Sequence, residues 1–596
     1  MASMIPGARA RFAFGLGLAG LLVTSGGGVT AERASAVPDH ADARTISHVL
    51  NRLGFGPRPG DVERVEKMGL AAYIDQQLTP DRIPDDVVEG RLAEFATLKM
   101  SAHDIATKFL VPAQQARQAA QVQAGKAAQQ TGQTMATPDP NMASAPPPNA
   151  PPNMAANAPP YLRPNAQNIV ATPEMRMLQQ QEQNVVNELV EQKLLRETLS
   201  ERQLNEVLVD FWFNHFNVFV NKGQEERAYL TEYERDVIRP HVLGNFRDLL
   251  GAVAHSPAML YYLDNWESVD PNAQERTLAE QESRIKGMVN PMAQAVARQN
   301  IARQREQMQK QGARGLNENY GRELMELHTL GVDGGYTQKD VIEVARALTG
   351  WTINQPNQGG GFAFRAQVHD PGPKTILGVT FPAGGGEAEG NRVLDLLARH
   401  PSTAHHIAFQ LAQRLVADEP PAALVDRAAK KFLDTDGDLR EVVRTIVTSP
   451  EFFAADDYGA KVKTPLEFVV SAARATNASV DNVQPLIAAL RNQLGMPPYG
   501  CVPPTGYSMT ADAWVNTGAL LSRMNFALQL VSNQMRGLRV DVASLAPTVD
   551  DDTRARVVQT LFAGQVSTST TQTLAKAQNP QYLLALALGS PEFQKR

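Results

Sequence analysis

The chain has 596 residues, of which 43% are hydrophobic and 20% charged, and a net charge of -6. This is the composition of a globular protein with more than one unit's worth of core, and it carries no basic footprint for nucleic acid or anionic lipid. A single cysteine, Cys501, excludes an intrachain disulfide.

The first element is a leader. Arg9 and Arg11 precede a short apolar stretch, Phe12 to Val23, and small-residue cleavage positions end at Ala31 and Ala36. The apolar run is shorter than the roughly 20 residues of a comfortable membrane span. Residues 1–36 therefore read as a signal peptide, and the mature protein as periplasmic or secreted, with no membrane span after signal removal. Residues 37–112 follow as a helical part; Val62, Val65, Leu70, Tyr73, Ile74 and Leu78 recur near helical spacing.

Residues 113–172 break that pattern. Ten prolines fall between Pro138 and Pro164, and Lys126 and Asp139 are the only charged residues from 118 to 162. Such a stretch has too little apolar surface to offset its ordering entropy, so it predicts a disordered Pro/Gln/Ala-rich insertion. Residues 173–266 return to a helical core. A Gln/Arg-rich segment, 267–316, predicts an exposed, weakly packed helical insertion.

Residues 317–351, "NENYGRELMELHTLGVDGGYTQKDVIEVARALTGW", concentrate ionisable groups in a helix, tight turn and second helix. Arg322, Glu323 and Glu326 share one helical face with Asn319. Gly331 suits a left-handed C-terminal position, and Thr337 with Asp340 fits a capping box. The hairpin holds a single lysine, Lys339, while arginine dominates its cations, and arginine is the cation of buried carboxylate networks. That favours a polar cleft over a solvated face. The region 360–381 predicts a small β excursion in an otherwise mainly α, multi-helix assembly, and helices continue through 317–530 and 531–596. "LDTDGDLREVV" has the wrong spacing for a calcium loop and reads as Asp438 capping a helix at Glu441. At residues 256, 449 and 590, Ser-Pro follows an apolar helix, and each proline is expected to open a new one.

Further candidates lie outside the hairpin. His48 and Arg52 sit one helical turn apart. His215 stands among Phe211, Trp212, Phe213 and Phe216, either as a core histidine or as a base beside a stacking platform. His369, Asp370 and Lys374 share a rigid Pro/Gly loop, where an adjacent His-Asp pair suits a base with its orienting partner. Zinc, P-loop and nucleophile-elbow motifs are absent.

Seven blocks occur in a fixed order: "HVLNRLGFGP" (48–57), "FWFNHF" (211–216), the 317–351 hairpin, "HDPGPKTILG" (369–378), "HPSTAHHIAFQLAQRLV", "KTPLEFVVSAARA" (463–475) and "GMPPYGCVPPTGY" (495–507). Together they resemble the bacterial family called domain of unknown function 1800, over about residues 45 to 530. The resemblance implies a large, exported, mostly helical protein. It also implies an exported neighbour from a second family, which resembles sulfatase and alkaline-phosphatase folds. The pair His405-His406 departs from the pattern expected of the family, so neither is taken as catalytic.

The residue types predict a hydrolase or lyase acting on an envelope or environmental polymer such as a glycan. Glu323, Glu326, His328, His369 and Asp370 are the expected catalytic groups. Substrate-binding roles fall to Arg322, Arg346, Lys374, His48, Arg52, Trp212, His215 and Trp351. Alternatively, Glu323, Glu326 and His328 ligate a divalent metal. The competing reading is a non-catalytic exported binding or assembly protein that partners the sulfatase-like neighbour.

Overall fold

The computed structural model describes residues 36–130, 172–311 and 315–596. The expected leader lies outside them except at Ala36, whose N–H donates to Thr448 O at 3.1 Å. Most of the 113–172 insertion also lies outside.

The protein is mainly α, with three small antiparallel ribbons among the described residues. β1 (Trp351–Ile353) pairs with β2 (Phe362–Phe364), and β3 (Lys374–Ile376) pairs with β4 (Val379–Phe381). These two form the anticipated β excursion, which begins earlier than expected, at Trp351. The third ribbon, β5 (Ser479–Val480) with β6 (Leu538–Arg539), was not anticipated, because two-residue strands leave no alternation to read.

Helical spacing explains most of the rest. In Leu439–Val447, positions 439, 442, 443, 446 and 447 form one buried stripe, and Asp438 caps the helix by accepting the Glu441 N–H at 3.2 Å. Stripes of this kind merge into one core containing residues from Ile46 to Phe593, so the first and last described helices share it. The Gln/Arg-rich segment forms two helices, Ala273–Lys286 and Pro291–Gln311, which pack on each other around Leu278, Ile285 and Ile301. No helix among the described residues is long and apolar enough to cross a membrane.

Two expectations need correction. Residues 113–130 belong to the helix Val111–Gln130, which packs on the long helix Pro173–Leu199; Ala113 is buried and Arg117 pairs with Glu182 at 2.5 Å. Alanine and glutamine favour helix strongly enough to extend it where a neighbouring helix offers contacts. Pro257 does open a helix, but Pro450 and Pro591 open only single turns. In those turns Ser449 and Ser590 accept the N–H groups of Phe452 and Phe593, whose rings are buried.

The charged hairpin forms as expected. Asn317 accepts the Tyr320 N–H at 3.2 Å and opens the helix Glu318–Met325. A capping box of Thr337 and Asp340 opens the second helix, Gln338–Ala347. Between them the chain makes a π-helical turn, Glu326–Leu330, that ends at Gly331 with φ 81°.

Candidate functional site

The hairpin's charges divide between two places. On the second helix, Arg346 Nη1 meets both oxygens of Glu343 at 2.9 Å, while Nε and Nη2 grip Asp370 at 2.7 and 3.1 Å. Beside them Lys374, fully buried, donates to Asp370 O, Gly372 O and Glu389 Oε2 at 2.7, 2.9 and 2.5 Å. His369 is anchored through Nδ1 to Thr349 O at 2.8 Å, and its Nε2 lies 3.4 Å from Glu389. This is a correction to the expected role of His369, Asp370, Arg346 and Lys374. The Pro/Gly loop folds back under the helix Glu387–Ala398, so Lys374 spends its three donors on protein oxygens. The group is a structural knot.

The first helix leads elsewhere. Glu326, at the start of the π turn, lines a cleft of about 300 Å³ with Asn214, His215, His406, Gln410 and Tyr507. Glu326 Oε2 accepts the Tyr336 hydroxyl at 3.0 Å. His215 and Asn214 lie at the end of the helix Gln203–His215, and His406 and Gln410 occupy one face of Pro401–Leu415. The roof is the Pro/Gly-rich loop 495–507. Asn214 fixes it by exchanging two hydrogen bonds with the Tyr507 main chain, at 2.8 and 2.7 Å. Asn217 adds bonds to Cys501 O and Pro503 O at 3.0 and 2.8 Å. Gly506 (φ 70°) lies so close to this helix end that a Cβ there would come within 2.3 Å of Asn214 O. Under the same loop the cleft continues past Phe211 and Asn214 toward Asp210, Arg414 and Glu467.

The imidazoles of the cleft are held neutral. Burial pulls His215 down to about 4, with His406 adding to the effect, and His406 is also lowered by burial. His215 Nε2 lies 3.3 Å from His328 O, and His406 Nε2 lies 3.3 Å from Leu327 O. The Gln410 amide sits between the rings, 3.0 Å from His215 Nδ1 and 3.2 Å from His406 Nε2. A neutral ring has one N–H, and Gln410 Oε1 faces His215 Nδ1, so His215 carries its proton there. Gln410 Nε2 in turn donates to His406 Nε2, so the single proton of that neutral ring is on Nδ1. His406 Nδ1 is left without a hydrogen-bond partner among the described residues. It lies 3.0 Å from where a Cβ on Gly331 would stand, so a side chain there would press on the ring.

His328 is buried behind this cleft, 5.1 Å from the Phe216 ring. Burial, then His215 and His406, pull it from 6.5 down to about 3. Below pH 6.5 the unfolded chain takes up a proton that the folded ring refuses. Stability is therefore lost as pH falls from 6.5 toward 3, by about 1.4 kcal/mol per pH unit, and nothing is lost above 6.5. In urea titrations, the stability gap between wild type and His328→Gln should narrow by that amount per unit across the window. A constant gap would show that His328 is charged in the fold.

Glu323 lies beside Glu326, half-buried and without an ion pair among the described residues; burial, then the Glu326 charge, push its carboxyl up. Arg322 donates to Gln338 at 3.0 Å on the hairpin surface. Trp212 and Trp351, expected at the substrate, are fully buried in the core instead. Trp212 donates to Val242 O at 3.2 Å, and Trp351 stacks on His255 with ring centroids 4.5 Å apart. His48 and Arg52 do not reach the hairpin cleft either. His48 stacks on Tyr458 at 4.2 Å and contacts Phe452 O at 2.8 Å, while buried Arg52 donates to Asp457 O at 2.6 Å. Among the described residues no three His, Cys, Asp or Glu side chains are placed to share a metal ion, and Glu323, Glu326 and His328 do not converge as ligands.

His406, set aside in the sequence together with His405, lines the cleft. The two histidines are about 100° apart on a helix, which leaves His405 exposed while His406 enters the cleft. The spacing His406, Gln410, Gln413 marked one polar face. Asn214 and Tyr507, also missed, carried no signal beyond lying in the "FWFNHF" and Pro/Gly blocks.

A family model described as "Protein of unknown function (DUF1800)" matches residues 48–595. No curated protein and no solved structure matches the chain.

Proposed function

Starting from the fact that the chain belongs to the DUF1800 family, we propose that it is an exported hydrolase or lyase acting on a neutral, hydroxyl-rich polymer such as a glycan. The observation that carries this reading is one cleft in which Glu326 and His406 share a lining of amides and hydroxyls. Asn214, Gln410, Gln413, Thr505, Ser508 and Thr510 supply donors and acceptors suited to sugar hydroxyls, and Phe211 and Tyr507 supply apolar and aromatic surface. His406, neutral at pH 7, serves as the base. Glu326 supplies the carboxyl partner, with the raised carboxyl of Glu323 beside it. The charged, apolar and small-residue series over residues 1–36 supports export to the periplasm or beyond.

Glu326→Gln and His406→Asn should each lower release of reducing ends from a glycan panel by about 10²–10⁴-fold, with melting temperature little changed. Both side chains are only partly buried, so folding is not at stake. Unchanged rates on a polymer that the wild type cleaves would overturn the assignment.

A second reading has its own observation. Leu520, Leu521, Met524 and Leu528 are exposed along the helix Thr517–Val531, an apolar stripe of the kind that marks protein contacts. On that reading the chain is a non-catalytic binding or assembly partner of the sulfatase-like exported protein. Leu521→Glu would then abolish co-purification with that partner, and Glu326→Gln would leave it intact.

A further inference from the structure

A separate cavity of about 290 Å³ lies between the first helix, Ala43–Arg52, and the segment 592–596. It shares no lining residue with the part of the cleft around Glu326, although Arg596 also lines the extension toward Glu467. Four cations face it: Arg44, Lys463, Lys595 and Arg596. The single acidic side chain of its lining, Glu592, is already engaged by the Ser567 N–H at 2.8 Å and the Thr570 hydroxyl at 2.7 Å.

Lys463 is buried, yet its ammonium meets only Ser471 Oγ at 2.8 Å and the Phe593 ring, 4.0 Å from the centroid. No carboxylate among the described residues lies within 4.0 Å of it. Arg596 is buried too. Its Nη2 is satisfied by Glu467 at 3.1 Å and Arg414 O at 2.8 Å, while Nε and Nη1 have no partner. His48, on the same wall, leaves Nδ1 unpartnered.

Buried ammonium and guanidinium donors without partners cost several kcal/mol between them in most folds. Here Lys463 and Arg596 both line an open volume, and two exposed cations, Arg44 and Lys595, stand at its edge. Burial, and then the charges of Arg596 and Arg523, work against the Lys463 proton, while the only strong opposing pull comes from Glu467. The missing component is negative charge with several acceptor oxygens, which is what a guanidinium fork, an ammonium and a hydroxyl recognise together.

We propose that this cavity is an oxyanion-binding site, in which Lys463, Arg596 and Arg44 hold a sulfate, phosphate or carboxylate group. It is wide enough to take the group on a larger molecule. The site is independent of the catalytic reading of Glu326, since it shares none of those residues.

Titration calorimetry on the full chain decides it, with sodium sulfate, phosphate and glucuronate compared against chloride at matched ionic strength. At least one oxyanion should bind saturably and raise the melting temperature, and the ranking among the three identifies which group the site takes. Lys463→Gln should weaken binding about tenfold or more. Because that buried change carries a folding risk, the exposed pair Arg44→Gln and Lys595→Gln is the second arm, with a loss of similar size expected. No saturable binding, an equal response to chloride, or wild-type affinity in the exposed double variant would each overturn the proposal.

Discussion

Glu467→Gln is expected to cost about 3–5 kcal/mol of stability, because it leaves buried guanidinium groups without their counter-ion. Glu467 is the carboxylate that Arg414 and Arg596 both address, with Nη2 of Arg596 at 3.1 Å. All three side chains are almost wholly buried. Burial pushes the Glu467 carboxyl up, but Arg414 and Arg596 outweigh it and hold it from 4.5 down to about 2. The same ion pairs make stability depend on pH. Ionised Glu467 contributes stability that is fully present above pH 4.5 and lost as pH falls toward 2, about 3 kcal/mol in all. Urea midpoints of wild type and variant at pH 7 are the measurement, and a loss under about 1 kcal/mol would show that the arginines find other partners.

The second large effect is expected at Glu389. Glu389→Gln removes the carboxylate 2.5 Å from Lys374 Nζ and 3.4 Å from His369 Nε2, and Lys374 has no exposed surface through which to reach water. A loss of about 3–5 kcal/mol is expected. The knot around it differs from an ordinary ion pair, because Lys374 also donates to two main-chain oxygens of its own loop. Removing both charges in Glu389→Leu with Lys374→Met should therefore cost less than the sum of the single changes, and a double-mutant cycle measures the difference. Additive losses would mean that Lys374 holds the loop through those carbonyls alone.

Local rules were legible in the sequence wherever one segment contains its own explanation. The capping box at Thr337, the Asp438 cap, the positive φ at Gly331 and the buried stripe of Leu439–Val447 all follow from residues within a turn or two. The β excursion was readable for the same reason. The candidate site was legible only in part. Glu326 and His215 were singled out, but their partners Asn214, His406, Gln410 and Tyr507 come from segments far apart in the chain. Their meeting depends on how helices pack, which periodicity does not encode. Residue type alone also misled. Trp212, Trp351 and the His369–Lys374 loop have the chemistry of a binding site, and only their burial reveals that core packing and ion pairing already use them.

The core shared by the first and last described helices bears on how the chain acquires its structure. The first helix sends His48 and Arg52 to carbonyls about 400 residues further along, and Arg596 closes onto Lys461, Arg414 and Glu467. During synthesis the early helices emerge with apolar faces whose partners do not yet exist. Packing of this shared core waits for the segment around residues 590–596, and a ribosome-bound chain stalled short of it presents an unfinished hydrophobic surface. Deletion of residues 590–596 is therefore expected to destabilise the whole fold, whereas excision of the Ala273–Lys286 and Pro291–Gln311 pair, which carries its own small cluster, should be tolerated.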